Sequence, residues 1–588
     1  MATLLQITGL HKSYGSHVIL DGASFTVSEK QKIAVVGRNG AGKSTLFKII
    51  VGEEDLTEGD VKIFPGTKIG YLTQNNPYGD EDKVMDFLMK SSKKEDFVCA
   101  KVAGQFQIKT DLFDRKISSL PGGYQMRLKL VSMLLEEPNL LLLDEPTNYL
   151  DLSTQLLLEK FLKNYKAAFL LISHDREFIK KTCNQTLEID QGKTFLFPQS
   201  IEEYLAYKVE KIASTEKANQ KIEVQKQHLQ KFVDRFKAKA SKATQAKSKM
   251  KQIQKLKTIE IVNPISTSKI RIPKVEDKKG VALIVDDLAI GYPEKKIADK
   301  IFLEIERGEH IAIVGDNGQG KTTFLKTIAG ELCSISGKFK WGANIQIGYY
   351  AQHTPMTLDN SDTVKGYLER TAPEGTKDRD IFEMAGNFLF KDDALKKQIS
   401  VLSGGERARL CLASMLLNKN SVLLLDEPTN HLDFETVEAL AGALKESTST
   451  ILFISHNRTF VDALANGIVE VKNGKVTRFH HNYEEYVYLL NKDIDNDLSS
   501  LSKGVVLENS ENGKKQKNRE KIKEITRKIR KLEAEMKKLE EEKFLLLSWF
   551  EKNFKEFSPE KNKRLSAIND LLAKKEGEWL LLQVDLEQ

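Results

Sequence analysis

IAVVGRNGAGKST at residues 33–45 and IAIVGDNGQGKTT at residues 311–323 are two spellings of one motif. Each is a run of four apolar residues followed by Gly-x-x-x-x-Gly-Lys-Ser/Thr. The apolar run suits a buried strand, the glycines a tight loop, and the residues after the lysine a helix start. In such a strand-loop-helix element, backbone N–H groups curl around phosphate oxygens and the positive end of the helix adds to the attraction. The phosphate cradle is therefore assigned to Gly37, Asn39, Gly40, Gly42, Lys43, Ser44 and Thr45, and to Gly315, Asn317, Gly318, Gly320, Lys321, Thr322 and Thr323. The lysine neutralises the β- and γ-phosphates, and the hydroxyl of Ser44 or Thr322 is expected to ligate Mg2+.

The repetition extends along the chain. Tyr14 and Tyr292, Lys43 and Lys321, and Gln74 and Gln352 are each 278 apart. Gly122 and Gly404, Glu145 and Glu427, and His174 and His456 are each 282 apart. Six landmarks in one order, with a single four-residue slip, mean two copies of one domain. Each copy alternates apolar strand-like runs with helical stretches, the pattern of a largely parallel sheet covered by helices. The expected fold class is α/β: two tandem P-loop domains, a long α-helical linker and a C-terminal α-helical coiled-coil hairpin. The expected boundaries are 1–205 and 281–490 for the two copies, 206–280 for the basic linker, 491–513 for a flexible loop-like connection and 514–588 for the coiled coil.

A second pair of apolar runs, residues 140–143 and 422–425, ends in Asp144-Glu145 and Asp426-Glu427. A carboxylate at a strand end can hold magnesium, and a neighbouring glutamate can orient or deprotonate an attacking water. Asp144 and Asp426 are assigned to the metal, Glu145 and Glu427 to the water.

Composition narrows the class. The 588 residues are 40% hydrophobic and 29% charged, ordinary for globular domains, and the net charge is only +7. The four cysteines, Cys99, Cys183, Cys333 and Cys411, show no metal-ligand spacing and are read as reduced thiols. The N-terminal MATLLQITGLHKSYG is not a signal peptide, and no apolar run approaches the roughly 20 residues that span a bilayer, so a cytoplasmic protein is expected.

Charge is concentrated between the copies. Residues 208–258 carry 15 Lys or Arg against 4 Asp or Glu, contain no Gly or Pro, and place apolar residues at helical spacing. A cationic helical element suits a phosphate backbone, and Arg235, Lys237, Lys239, Lys242, Lys247 and Lys249 are the expected contacts, with a turn near residues 237–247. In the tail, Ile522, Ile525, Ile529, Leu532, Met536 and Leu539 form a heptad seam, and residues 514–531 hold ten basic and two acidic residues. That segment could meet RNA, DNA or the rest of the chain, and its residues leave these open.

Taken together, the motifs resemble the ATP-binding cassette superfamily. LSGGE at residues 402–406 is similar to its signature motif, with Ser403, Gly404 and Gly405 facing nucleotide; DEPTNYLD at 144–151 and DEPTNHLD at 426–433 are similar to its Walker B and D-loop segment. His174 and His456 resemble its switch histidines, Gln74 and Gln352 its metal-side Q-loop glutamines, and Tyr14 and Tyr292 its adenine-stacking aromatics. The resemblance implies ATP and Mg2+ as cofactors and a monomer whose cassettes pair head to tail, each ATP touching one phosphate loop and the other cassette's signature. The first signature departs from the pattern: Leu120-Pro121-Gly122-Gly123-Tyr124 has proline for serine and tyrosine for Glu or Gln, so the Lys321 site is expected to hydrolyse more slowly.

Two cassettes with a long basic linker resemble the ABC-F subclass, many of whose members bind the ribosome. This implies an ATPase acting on ribosomal tRNA or rRNA, of which antibiotic protection is a specialised form. From Gln74 to Leu120 is 46 residues and from Gln352 to Leu402 is 50, so no large arm is inserted in the first cassette. The competing readings are a DNA-associated ATPase acting through the tail and the ATP-binding subunit of a membrane transporter.

Overall fold

Both motif-bearing apolar runs become central strands. In this computed structural model the described residues are 2–236 (except 16, 73–75, 80 and 149), 248–253, 270, 272–273, 279–504 (except 357, 391 and 431), and 564, 568, 571 and 575. The first cassette contains strands β1 (Thr3–Tyr14), β2 (His17–Ser28), β3 (Lys32–Val36), β4 (Glu58–Ile63), β5 (Ile69–Leu72), β6 (Leu140–Asp144), β7 (Ala168–Ile172), β8 (Gln185–Asp190) and β9 (Lys193–Phe197). They form an antiparallel sheet ordered β2-β1-β4 and a six-stranded sheet ordered β5-β6-β7-β3-β8-β9. The latter is parallel except at β9.

The second cassette repeats this plan with β10 (Val281–Tyr292), β11 (Lys295–Glu306), β12 (His310–Val314), β13 (Ser336–Trp341), β14 (Ile347–Tyr350), β15 (Val422–Asp426), β16 (Thr450–Ile454), β17 (Gly467–Lys472) and β18 (Lys475–Phe479). Its sheets are ordered β11-β10-β13 and β14-β15-β16-β12-β17-β18. The central strands β6, β7, β15 and β16 are buried at every residue, which is why they read as unbroken apolar runs instead of alternating ones.

Parallel register sets the active edge. Asp144 lies beside Ile172 and Asp426 beside Ile454, so each acidic pair and each switch histidine leave the sheet at the same end. Ligands of open parallel sheets gather at that carboxyl end. Leu141 in β6 is fully buried. Leu141→Ala is expected to cost about 2–5 kcal/mol, seen as a lower urea midpoint for unfolding of the first cassette.

The linker opens with one helix, Ile201–Phe236, which runs through residue 205 without a break. The turn expected near residues 237–247 lies outside the described residues, as do the heptad seam and the basic run 514–531. The connection expected to be loop-like from residue 491 is instead helical as far as residue 504, within the helix Tyr483–Gly504. The reason is docking. Tyr486 and Ile494 are buried, and Lys160 of the first cassette donates from Nζ to the Asn491 carbonyl at 3.0 Å and to Asp495 at 2.8 Å. A half-solvated helix looks polar in sequence, and these tertiary partners are not visible there.

The chain forms two compact units, Met1–Ser499 and Ser500–Gln588. In the second unit, Arg564, Ile568, Leu571 and Lys575 are helical, with Ile568 fully buried. Among the described residues, no helix is long and apolar enough to cross a membrane.

Candidate nucleotide sites between the cassettes

Each phosphate loop links a central strand to a helix, Lys43–Val51 or Lys321–Ala329. Gly37 and Gly315 begin the loops at φ 156° and 143°. A Cβ at Gly315 would lie 2.2 Å from the Val471 carbonyl oxygen, so only glycine lets the loop pass this close to β17. Lys43 sends Nζ to the carbonyls of Gly37 and Arg38 at 2.8 and 3.1 Å, and Lys321 does the same to Gly315 and Asp316 at 2.7 and 3.1 Å. Burial pushes both ammonium groups down, while the nearby carboxylates favour their charged form.

The acidic residues stand where the strands deliver them. Asp144 and Asp426 are buried; burial raises both carboxyls, and hydrogen bonds from Ser44 and Thr322 oppose that. Thr322 Oγ1 lies 3.4 Å from Asp426 Oδ1. Asp144 Oδ1 and Asp426 Oδ2 are buried polar atoms with no hydrogen-bond partner in the protein. A hydroxyl beside an unsatisfied carboxylate oxygen fits a magnesium ion whose remaining ligands are phosphate and water. Among the described residues, no group of three or more His, Cys, Asp and Glu forms a self-sufficient metal cage.

Glu145 and Glu427 sit in the left-handed region, at φ 49° and 53°. Non-glycine residues are held there only by their surroundings. Here the Glu145 N–H donates to the Ile172 carbonyl at 3.0 Å and the Glu427 N–H to that of Ile454 at 2.9 Å. Each glutamate is thereby tied to the strand that carries its switch histidine. His174 Nε2 lies 3.1 Å from Glu145 Oε1, and His456 Nε2 lies 3.3 Å from Glu427 Oε1. Burial, reinforced by the adjacent lysine, pushes His174 down to about 4 and His456 to about 3, so both imidazoles are neutral. Burial and the neighbouring Asp426 push Glu427 up, to about 7.

The cassettes meet across these sites. A cavity of about 440 Å³ over Lys321, Thr322, Gln352, Asp426 and Glu427 is also lined by Gly122, the first glycine of the other cassette's signature. Asp151 caps the helix Leu152–Asn164 by accepting from Thr154 N, and its other oxygen accepts the N–H of Asn317 at 3.1 Å. Ser153 donates to Asp316 at 2.9 Å. On the other side, Asp433 acts on the charge of Lys43, and Arg409, on the second signature helix, is close enough to sense Arg38.

The two signatures differ as their sequences suggest. Ser403 caps the helix Gly404–Leu417 in a reciprocal box with Glu406. Pro121 caps Gly122–Leu135 without any side-chain hydrogen bond, and Tyr124 lies beneath the Arg127 guanidinium, 5.0 Å from it. Gly123 packs against Asp151, where a Cβ would stand 3.2 Å from the carboxylate; Gly405 occupies the equivalent turn of the second helix.

Tyr14 and Tyr292 are half exposed at the ends of β1 and β10, with the Lys12 ammonium 4.9 Å from the Tyr14 ring. Gln352 lines the cavity over Lys321; Gln74 lies outside the described residues. So do Lys237, Lys239, Lys242 and Lys247. Arg235 is within the long helix, and Lys249 is in a short helical stretch, bonded to Gln252 at 3.0 Å. Sequence reasoning missed the roles of Asp151 and Asp433. Their signal was available, because both close a DEPTN-x-LD segment at the 282-residue offset.

The chain matches an ABC transporter domain model at residues 20–148 and again at 298–430, and an ABC transporter extension model at 187–272. It is 33% identical over 525 residues to the probable ATP-binding protein YbiT of Escherichia coli O157:H7, covering 82% of this chain and 99% of that protein. It is 31% identical over 554 residues to ABC transporter F family member 5 of Arabidopsis thaliana, covering 86% and 80% of the two. The solved structure of an archaeal ribosome recycling factor, aABCE1, bound to ribosomal stalk protein aP1, shares the fold at a TM-score of 0.58 and 20% identity, over 82% of this chain and 92% of that one. With two ATP-binding domains of this type, an extension between them and relatives of this kind along most of its length, the chain belongs to the ABC-F subclass of the ATP-binding cassette superfamily.

Proposed function

We propose that this chain is a cytoplasmic ATP hydrolase that closes its two cassettes on two ATP molecules while bound to the ribosome, its basic linker directed at tRNA or rRNA. The observation that carries the hydrolase reading is Gly122 lining the cavity of the opposite phosphate loop, which makes that site a shared one. Lys43 and Lys321 bind the terminal phosphates, and the signature glycines of the opposite cassette close over them. Glu145 and Glu427 accept the proton of the attacking water, and His174 and His456, neutral and beside them, hold the γ-phosphate side of the site. Magnesium would be held by Ser44 with Asp144 and by Thr322 with Asp426, and would supply charge neutralisation of the phosphates. Loss of the γ-phosphate removes the charge-assisted contacts that hold the halves together, so hydrolysis opens the clamp.

The ribosome reading is supported by the surplus of 11 positive charges in residues 208–258, which exceeds the +7 of the whole chain. The double variant Glu145→Gln, Glu427→Gln is expected to stay closed on ATP and to accumulate with ribosomes in a sucrose gradient. Adding Lys237→Glu, Lys239→Glu, Lys242→Glu and Lys247→Glu is expected to lower that association by about tenfold or more, since four phosphate contacts would become repulsive. A double variant that never sediments with ribosomes sinks this target. Sedimentation with DNA that is lost on removing residues 513–588 would favour action through the tail, and recovery in the membrane fraction would favour a transporter subunit.

A further inference from the structure

The contacts joining the cassettes are not equivalent under the 282-residue offset. The switch turns read His174-Asp175-Arg176 and His456-Asn457-Arg458. Arg458 is 4% exposed and inserts into the first cassette, where Nε donates to Asp175 Oδ2 at 3.3 Å and Nη1 to Glu159 Oε2 at 2.5 Å. Asp175 uses its other oxygen to cap the helix Arg176–Thr182, accepting from Phe178 N. Asn457 caps the helix Arg458–Leu464 in the same way, but its Nδ2 also donates to the His174 carbonyl at 3.3 Å. In return, Gln155 donates to the His456 carbonyl at 3.0 Å. A cavity of about 30 Å³ lies between the two switch turns.

The mates of Asp175, Glu159 and Gln155 in the second cassette are Asn457, Ala441 and Val437, which carry no charge. Arg176, the mate of Arg458, therefore lacks this pocket. It stays 32% exposed and pairs with Glu438 at 2.7 Å. One direction across the interface is a buried ionic contact; the other is a surface pair, of a kind that is worth little.

We propose that Arg458 is a positioning residue for ATP hydrolysis in the opposite pocket, the one built on Lys43. Arg458 holds Asp175, Asp175 fixes the turn that carries His174, and His174 stands against Glu145. The contact exists only while the cassettes are together. When they part, the guanidinium loses both carboxylates, Asp175 keeps only its helix cap and Glu159 only Lys181, so the turn that carries the imidazole of the Lys43 pocket is held on its outer side only in the closed state. Each histidine carbonyl accepts a neutral amide from the other cassette, but Asn457 has no charge for an arginine to hold, so the Lys321 pocket is not tied to closure by a buried ion pair. This inference rests on the reading of the chain as an ATP hydrolase.

The test uses the full chain and γ-labelled ATP in two backgrounds. Glu427→Gln leaves the Lys43 pocket to be read, and Glu145→Gln leaves the Lys321 pocket. Arg458→Ala is expected to lower kcat by about tenfold or more in the first background, with KM for ATP within about twofold, and by less than about threefold in the second. Arg458→Lys is expected to recover part of the loss, since an ammonium can serve one of the two carboxylates. Asp175→Asn keeps the helix cap, as Asn457 does, and removes the charge; it is expected to lower kcat selectively in the first background even if Arg458→Ala fails to fold. Equal losses in both backgrounds, or a change in KM alone, overturn the proposal. A parent chain that splits no ATP overturns the hydrolase reading and the proposal with it, whereas an active parent insensitive to Arg458 and Asp175 overturns the proposal alone.

Discussion

Glu145→Gln is expected to lower ATP turnover by about tenfold or more, whereas Glu427→Gln lowers it by about twofold or less. The two glutamates share backbone strain and a histidine partner. The difference comes from what faces each pocket. The Lys321 pocket meets Gly122, which follows a proline that has neither a hydroxyl nor an N–H to offer a phosphate. The Lys43 pocket, by the repeat, meets a helix capped by Ser403. Losing one well-aimed donor to developing charge typically costs about 10²–10³ in rate, more than enough to make one site carry the turnover. Steady-state phosphate release from the two single variants is the measurement, and equal losses would overturn the asymmetry.

Gly315→Ala is expected to abolish one of two nucleotide-binding events, weakening ATP at the Lys321 pocket by about tenfold or more. The added carbon must clear the Val471 carbonyl oxygen at 2.2 Å while the backbone remains at φ 143°. Neither can give cheaply, because Val471 belongs to a paired strand of the same sheet. The loop must lift, and its N–H groups then lose their aim at the phosphates. Gly318→Ala is the control: its φ is 80°, but a Cβ there meets nothing within 4 Å, so only backbone strain is added. Titration with a fluorescent ATP analogue would count the sites. Two unchanged binding events in Gly315→Ala would show that the loop tolerates the carbon and that the argument from close approach is wrong.

Much of the site was legible in sequence because it is assembled from contiguous elements. An apolar run, a glycine-rich loop and a lysine at a helix start make, within a dozen or so residues, the strand-loop-helix element that a phosphate cradle needs, and both copies do so. The acidic pairs at the ends of 140–143 and 422–425 were readable for the same reason, since a strand end is a local event. Residues 491–504 were misread because the docked face of that helix is defined by Lys160, more than three hundred positions away.

By itself the sequence determined the two nucleotide-binding motifs, the duplication and the unequal signatures, all of which are properties of short segments and their offsets. Only the tertiary structure decided which residues of opposite cassettes meet: Asp151 with Asn317, 166 positions apart, and Arg458 with Asp175 and Glu159, 283 and 299 apart. Such contacts have no periodicity to betray them. They depend on how two folded surfaces close on each other, and a buried arginine looks like any surface arginine until its carboxylates come into place.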